Sequence, residues 1–269
     1  MTRMLLFGLA TVLLTISVPL RASAEDLVLY GAGSLREAMT QMARDFQTRT
    51  GVSVRTEFGP SGVMRERIEK GERVDVFTSA DMGHPLRLEQ QGQASAVAMF
   101  ARNAVCAFST SRIGLTSAGL LETLLDPTIS LGTAAPVSDP LGDYTWQMFK
   151  RADSVKPGSF ATLSTKARAL VGGPTQPPAG QDLVATALND RTVDVFLAYC
   201  SGRSRLEGQV PGLTITALPD ALRVGPEYGV TLLTGARPAA AGFVLYILSP
   251  AGQATLARHG FTPLGLPAR

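Results

Sequence analysis

Two serines stand where a small anion could be gripped. Ser34 lies in LVLYGAGSLREAM and Ser61 in VRTEFGPSGVMRERIEKG. In each, an apolar strand-like run ends in a turn of small residues, and a helical pattern follows. The pattern puts each serine at a helix N-terminus beyond the C-terminal end of a strand. In an open α/β sheet, that edge is where ligands bind. Unused backbone N–H groups and a hydroxyl at such a point suit an oxyanion. Other chemistries fit less well. Neither GAGSL nor GPSGV is the G-x-S-x-G elbow of a serine hydrolase. The only histidines are His84, in a GHP turn, and His259, next to Gly260 at a helix C-terminus, where a positive charge is welcome. A metal or copper site from Met82, Met99 and these histidines lacks a ligand spacing. Asp75 and Asp81 of RVDVFTSAD read as structural, because an uncompensated carboxylate beside a dianion repels it. A binding protein without catalytic residues, cofactor or directly bound metal is therefore expected.

The elements that must hold these turns alternate along the chain. Strands are expected over 27–30, 52–58, 74–78, 103–109, 129–133, 193–199, 213–218 and 228–234. Helices are expected over 35–48, 63–70, 85–91, 118–125, 144–151, 160–171, 182–189, 239–248 and 251–259. Leu35, Met39, Met42 and Phe46 share one face of the first helix, and Ser34 with Glu37 has capping-box spacing. Strands separated by helices predict parallel sheets. Tyr199 closes the apolar run VDVFLAY and on residue type alone is a core aromatic.

The first 24 residues read as a secretory signal peptide. Arg3 precedes an apolar run from Met4 to Leu20, and Ala22-Ser23-Ala24 forms an A-x-A cleavage pattern. The run is short of the ~20 residues a membrane span needs and is interrupted by Pro19. Glu25, not cysteine, follows the cut, which argues against a lipoprotein. A periplasmic location follows. Losing Arg3 and Arg21 takes the formal net charge from +3 to about +1. No Lys/Arg cluster with interleaved aromatics exists, so nucleic acid is not an expected partner. The remaining chain of about 245 residues, with 45% hydrophobic residues overall, is large enough for one big or two medium cores.

GAGSLREAM, GPSGVMRERIEKG and above all RVDVFTSAD, followed in order by PLGDY, the strand into Tyr199, GPEYGVTLL and SPAGQATLARHGF, carry a family likeness. The chain resembles the periplasmic molybdate-binding proteins of ABC importers, within the type II periplasmic binding fold. The resemblance implies an α/β protein of two lobes, each a mainly parallel sheet flanked by helices. Lobe I would hold 25–102 and 226–269, and lobe II 103–225. A tetrahedral oxyanion, molybdate or tungstate first, would lie between lobes that close by hinge motion. Five contacts are implied: Ser34 and Ser61 from lobe I, backbone N–H at Leu141 and at Gln181, and the Tyr199 hydroxyl. Neutral donors at helix N-termini can hold such a dianion without a cationic side chain. The implied partner is a membrane permease, with the receptor itself a monomer. A periplasmic sensor of the same fold is the alternative, and a serine-dependent hydrolase a remote one. The chain departs from the family at Leu141, where the family has a small residue. It departs also at Asp143, which disfavours a dianion if it faces the cleft, and in the serine-poor GPSG. The ligand therefore stays open among related anions.

Cys106 and Cys200 are the two cysteines of the chain. Cys106 lies in the apolar strand AVCAF and Cys200 directly follows the strand VFLAY, both in the implied second lobe, and export brings an oxidising compartment. A Cys106–Cys200 disulfide is expected, two buried thiols being the alternative.

Overall fold

The computed structural model describes residues 26–172 and 182–264. The segment expected to be a signal peptide and Gln181 lie outside these residues. The chain opens with β1 (Leu27–Ala32), a 3₁₀ turn over Gly33–Leu35 and α1 (Arg36–Thr50). It continues through β2 (Val54–Gly59), α2 (Ser61–Glu69), β3 (Val76–Ser79), α3 (Gly83–Gln90) and β4 (Ala98–Arg102). Then come β5 (Val105–Thr110), α4 (Leu120–Leu125), β6 (Leu131–Ala134), α5 (Pro140–Val155), α6 (Ser159–Lys166), β7 (Ala167–Val171), α7 (Leu183–Asn189) and β8 (Val195–Tyr199). The last elements are α8 (Arg203–Leu206), β9 (Leu213–Ala217), β10 (Glu227–Leu232), α9 (Ala239–Leu248), α10 (Pro250–Arg258) and the short β11 (Thr262–Pro263).

These strands build two sheets. One runs β11-β4-β10-β3-β1-β2, the other β7-β6-β8-β5-β9. Strands joined through helices pair in parallel: β1 with β2 and β3, and β6 with β7 and β8. Strands that carry the chain across between sheets enter antiparallel, β10 against β3 and β4, and β5 against β8 and β9. Both sheets are consequently mixed, where mainly parallel ones were expected, because the crossing strands enter antiparallel. The chain passes from the first sheet to the second through Asn103 and Ala104, and returns between β9 and β10.

The buried face of α1 uses the stripe read from the sequence, with Met39, Met42 and Phe46 at 5% exposure or less. Phe46 meets the Phe243 ring edge-on at 5.2 Å, tying α1 to α9. On the opposite face of the same sheet, Met64, Ile68 and Leu88 from α2 and α3 cover Phe77. In the second sheet, Phe108 and Phe196 stand opposite each other across the β5–β8 pair and are fully buried. Burying such side chains contributes ~1.5–3 kcal/mol each.

Two sequence expectations change here. The segment 160–171 is helical only to Lys166. Ala167–Val171 is β7, paired to β6 at the edge of its sheet. The sheet edge offers that short apolar run a ladder, which outweighs its helical spacing. The helix expected at 144–151 begins four residues earlier, because Asp139 caps it and Pro140 opens it.

Cys106 and Cys200 form a disulfide, with Cα atoms 5.1 Å apart. The pairing follows from register: Val105 lies opposite Tyr199 and Cys106 opposite Ala198, so Cys200 emerges beside β5.

Candidate ligand-binding site

The C-terminal ends of β1, β2 and β8 open onto one cavity of about 560 Å³ between the two sheets. Ser34, Ser61, Leu141 and Tyr199 all line it, together with Asp139 and Asp182. The structure thus gathers into one place four of the five residues selected from the sequence. Gln181 lies outside the described residues; its neighbour Asp182 caps α7, accepting hydrogen bonds from the Val184 and Ala185 N–H groups.

Ser34 sits within the 3₁₀ turn ahead of α1. The Ser34–Glu37 capping box does not form, since neither the turn nor α1 has a side-chain cap. The Ser34 hydroxyl instead lies 3.0 Å from the Tyr228 hydroxyl. The Asn103 side-chain amide donates to the same Tyr228 oxygen at 3.2 Å and to Ser201 Oγ at 2.8 Å. With Tyr228 accepting from Asn103, its own O–H is free to donate to Ser34, and the Ser34 O–H is left to donate into the cavity. Asn103 lies where the chain crosses between the sheets, so this run of hydrogen bonds links the crossing to the site. Sequence reasoning missed Asn103 and Tyr228, because the link from Asn103 through Tyr228 to Ser34 joins positions far apart in the chain.

Ser61 is the first residue of α2 and 1% exposed. Its hydroxyl accepts the Ala80 N–H at 3.1 Å, which fixes the oxygen and leaves the hydroxyl proton to donate. Next to it, Gly62 N–H donates to the Ser138 carbonyl at 3.1 Å. That bond crosses from an element of the first sheet to the loop before α5. A Cβ on Gly62 would stand 2.6 Å from the Val137 carbonyl oxygen, so the lobes meet here in contact that only glycine allows. Val137 itself holds a positive φ of 69°, a strained conformation for a β-branched residue. The Asp143 carboxylate, accepting the Val137 N–H at 3.0 Å, holds this loop.

Tyr199 ends β8 with its ring packed edge-on against Tyr228 at 5.8 Å. Its hydroxyl is buried and has no hydrogen-bond partner among the described residues. Such a group costs free energy unless a ligand or water satisfies it. Burial drives its pKa well above the usual tyrosine value, so the hydroxyl remains a proton donor at neutral pH.

A profile of the bacterial extracellular solute-binding protein family matches residues 27–262. The chain belongs to that family. It is 32% identical over 209 residues to an uncharacterized protein of Pasteurella multocida, covering 77% of this chain and 86% of the other. It is 26% identical to the molybdate-binding protein ModA of Rhodobacter capsulatus, covering 94% and 95% of the two chains. In fold it is similar to the periplasmic molybdate-binding protein of Azotobacter vinelandii, with a TM-score of 0.70 and 18% identity over 90% of this chain and 100% of that one.

Within this solute-binding protein the wall contributed by α5 departs from expectation. The Leu141 N–H, expected to face a ligand, donates to Asp139 Oδ1 at 2.9 Å. The side chain of the capping aspartate occupies that donor in this structure. Asp143 is also engaged, through Val137. Burial, with Asp143 and Asp81 nearby, pushes the Asp139 carboxyl up to about 6 despite the Leu141 N–H. Arg36 and Arg205 line the same cavity, but each has other partners. Arg36 donates to the Phe58 carbonyl, and Arg205 pairs with Asp182. Asp75 accepts the N–H groups of Val28 and Arg237, and Asp81 that of His84, as structural carboxylates do.

Proposed function

We propose that this solute-binding protein captures a small tetrahedral oxyanion, the class of molybdate, tungstate, sulfate and phosphate, in the interlobe cavity. We further propose that the protein acts in the periplasm, after removal of residues 1–24, and delivers the anion to the membrane permease of an ABC importer. Lobe I would comprise 25–102 and 226–269, and lobe II 103–225. The observation that carries this reading is the convergence of Ser34, Ser61 and the unpartnered Tyr199 hydroxyl on one cavity. Three neutral donors on two different sheets would be drawn together by an anion between them, so binding and closure are coupled. Gln181, implied by the family likeness, would complete the donor set. The likeness to ModA over nearly the whole chain supports the ligand class.

Thermal melting of the mature protein with each anion at millimolar concentration tests this. A ligand at a hundred times its Kd adds ~2.7 kcal/mol to stability, or roughly 5–10 °C for a chain of this size. The absence of a shift with every tetrahedral anion would refute the ligand class.

A further inference from the structure

We infer, resting on the oxyanion reading above, that Asp139 sets specificity by demanding an anion that carries its own O–H, and so rejects fully deprotonated anions such as sulfate and molybdate. The carboxylate lines the same cavity as Ser34, Ser61 and Tyr199. It occupies the N-terminus of α5, where a backbone donor would otherwise point at the ligand. Its Oδ1 takes the Leu141 N–H, and the Gly142 N–H goes to its own carbonyl. The wall from lobe II thus presents an acceptor where lobe I presents donors. Its place is set by the capping hydrogen bond from the Leu141 N–H at 2.9 Å, which orients the carboxyl group at the start of α5. The carboxylate also lies close enough to the Tyr199 and Tyr228 hydroxyls to disfavour their ionisation.

A carboxylate facing a bare oxyanion brings two acceptors together with no proton between them. An acid O–H or alcohol O–H on the ligand turns that repulsion into a charge-assisted hydrogen bond. Sites built to bond a ligand O–H can reject the analogue lacking it by up to ~10⁴-fold. The shared chemistry is a phosphate-type head with an O–H within reach of Asp139. That O–H belongs either to the head itself, as in hydrogenphosphate, or to an attached alcohol.

The test is calorimetric titration of the mature protein at pH 8 with sulfate, molybdate, inorganic phosphate and glycerol 3-phosphate. The same titrations are repeated on Asp139→Asn, since asparagine also caps helices and keeps the turn. Asp139→Ser, another capping side chain, is the second variant should the first fail to fold. Wild type is expected to bind phosphate or glycerol 3-phosphate at least tenfold more tightly than sulfate or molybdate. Which of the two wins identifies the source of the O–H. The variant is expected to narrow that ratio at least tenfold by gaining sulfate and molybdate affinity. Wild-type binding of sulfate or molybdate as tight as that of the O–H-bearing anions overturns the assignment of Asp139 while leaving the oxyanion reading intact. So does a ratio unchanged in the variant. If wild type binds none of the four, both readings fall together.

Discussion

Replacing Gly62 by alanine should weaken ligand binding without weakening the fold. Gly62 is the second residue of α2, and its φ is not in the left-handed region. Alanine is therefore conformationally acceptable there and favours the helix by up to ~1 kcal/mol. The closed cleft suffers instead. The new Cβ would stand 2.6 Å from the Val137 oxygen and 2.8 Å from the Ser138 oxygen. Reaching an ordinary 3.4 Å contact requires the lobes to part by about 0.8 Å there, both obstructing atoms being backbone. Overpacking of this kind costs ~1–3 kcal/mol. Losing the Gly62–Ser138 hydrogen bond adds ~0.5–1.5 kcal/mol. The closed state then loses about 1.5–4.5 kcal/mol relative to the open one, and binding coupled to closure weakens by roughly tenfold to two-thousandfold. Calorimetry on the variant measures the affinity, and melting of the ligand-free protein measures the fold. The reasoning predicts a raised Kd with an unchanged or higher ligand-free Tm. An unchanged Kd in a folded variant would refute it, and a collapsed ligand-free Tm would show that the contact serves folding rather than closure.

The donors make further predictions. Ser34→Ala and Ser61→Ala each remove a hydrogen bond to a charged acceptor, worth ~1.5–3 kcal/mol, so titration should show affinity reduced about ten- to a hundredfold. Unchanged affinity in both would place the ligand elsewhere. Tyr199→Phe should act in opposite directions: it deletes a buried hydroxyl without a partner among the described residues, raising the ligand-free Tm, while lowering affinity. A falling ligand-free Tm would contradict that. Replacing Cys106 and Cys200 by alanine opens a link spanning 94 residues. With typical bridges contributing ~2–4 kcal/mol, the Tm should drop by roughly 5–15 °C, and an unaltered Tm would speak against the bridge. The Asp139 carboxyl, moved from 3.8 up to about 6 on folding, binds its proton more tightly in the folded chain. The corresponding stability is present below about pH 4 and is lost as pH rises through about 6. Asp139→Asn should remove that slope from the Tm–pH profile, and parallel profiles would exclude it.

Much of the site could be read because its parts are local. A strand, a small-residue turn, a serine and a helix lie within a dozen residues of one another, so Ser34 and Ser61 stood out before any contact was known. The disulfide was legible because Cys106 lies in one apolar strand and Cys200 directly follows another. Tyr199 was distinguished from an ordinary core aromatic by family likeness alone, since its unsatisfied hydroxyl is a property of packing. What escaped was competition between partners. The Ser34 hydroxyl could have capped a helix, but the Tyr228 hydroxyl takes it. The Leu141 N–H could have faced a ligand, but the carboxylate two residues earlier reaches it first. Asp139-Pro140 is a capping signal in plain view, and weighing it would have moved the start of α5 and exposed the engaged donor. The division of β4, β10 and β11 from the second sheet rests on pairings more than a hundred residues apart, beyond the reach of local periodicity.

The central question is whether the interlobe cavity binds one tetrahedral oxyanion per chain. Isothermal titration of the mature protein with molybdate, tungstate, sulfate and phosphate measures this directly. The account predicts saturable binding of at least one of them at a stoichiometry of about one, abolished or weakened by at least tenfold in the Ser34→Ala, Ser61→Ala double variant. Heat of binding absent for all four, or binding indifferent to the double variant, would contradict it.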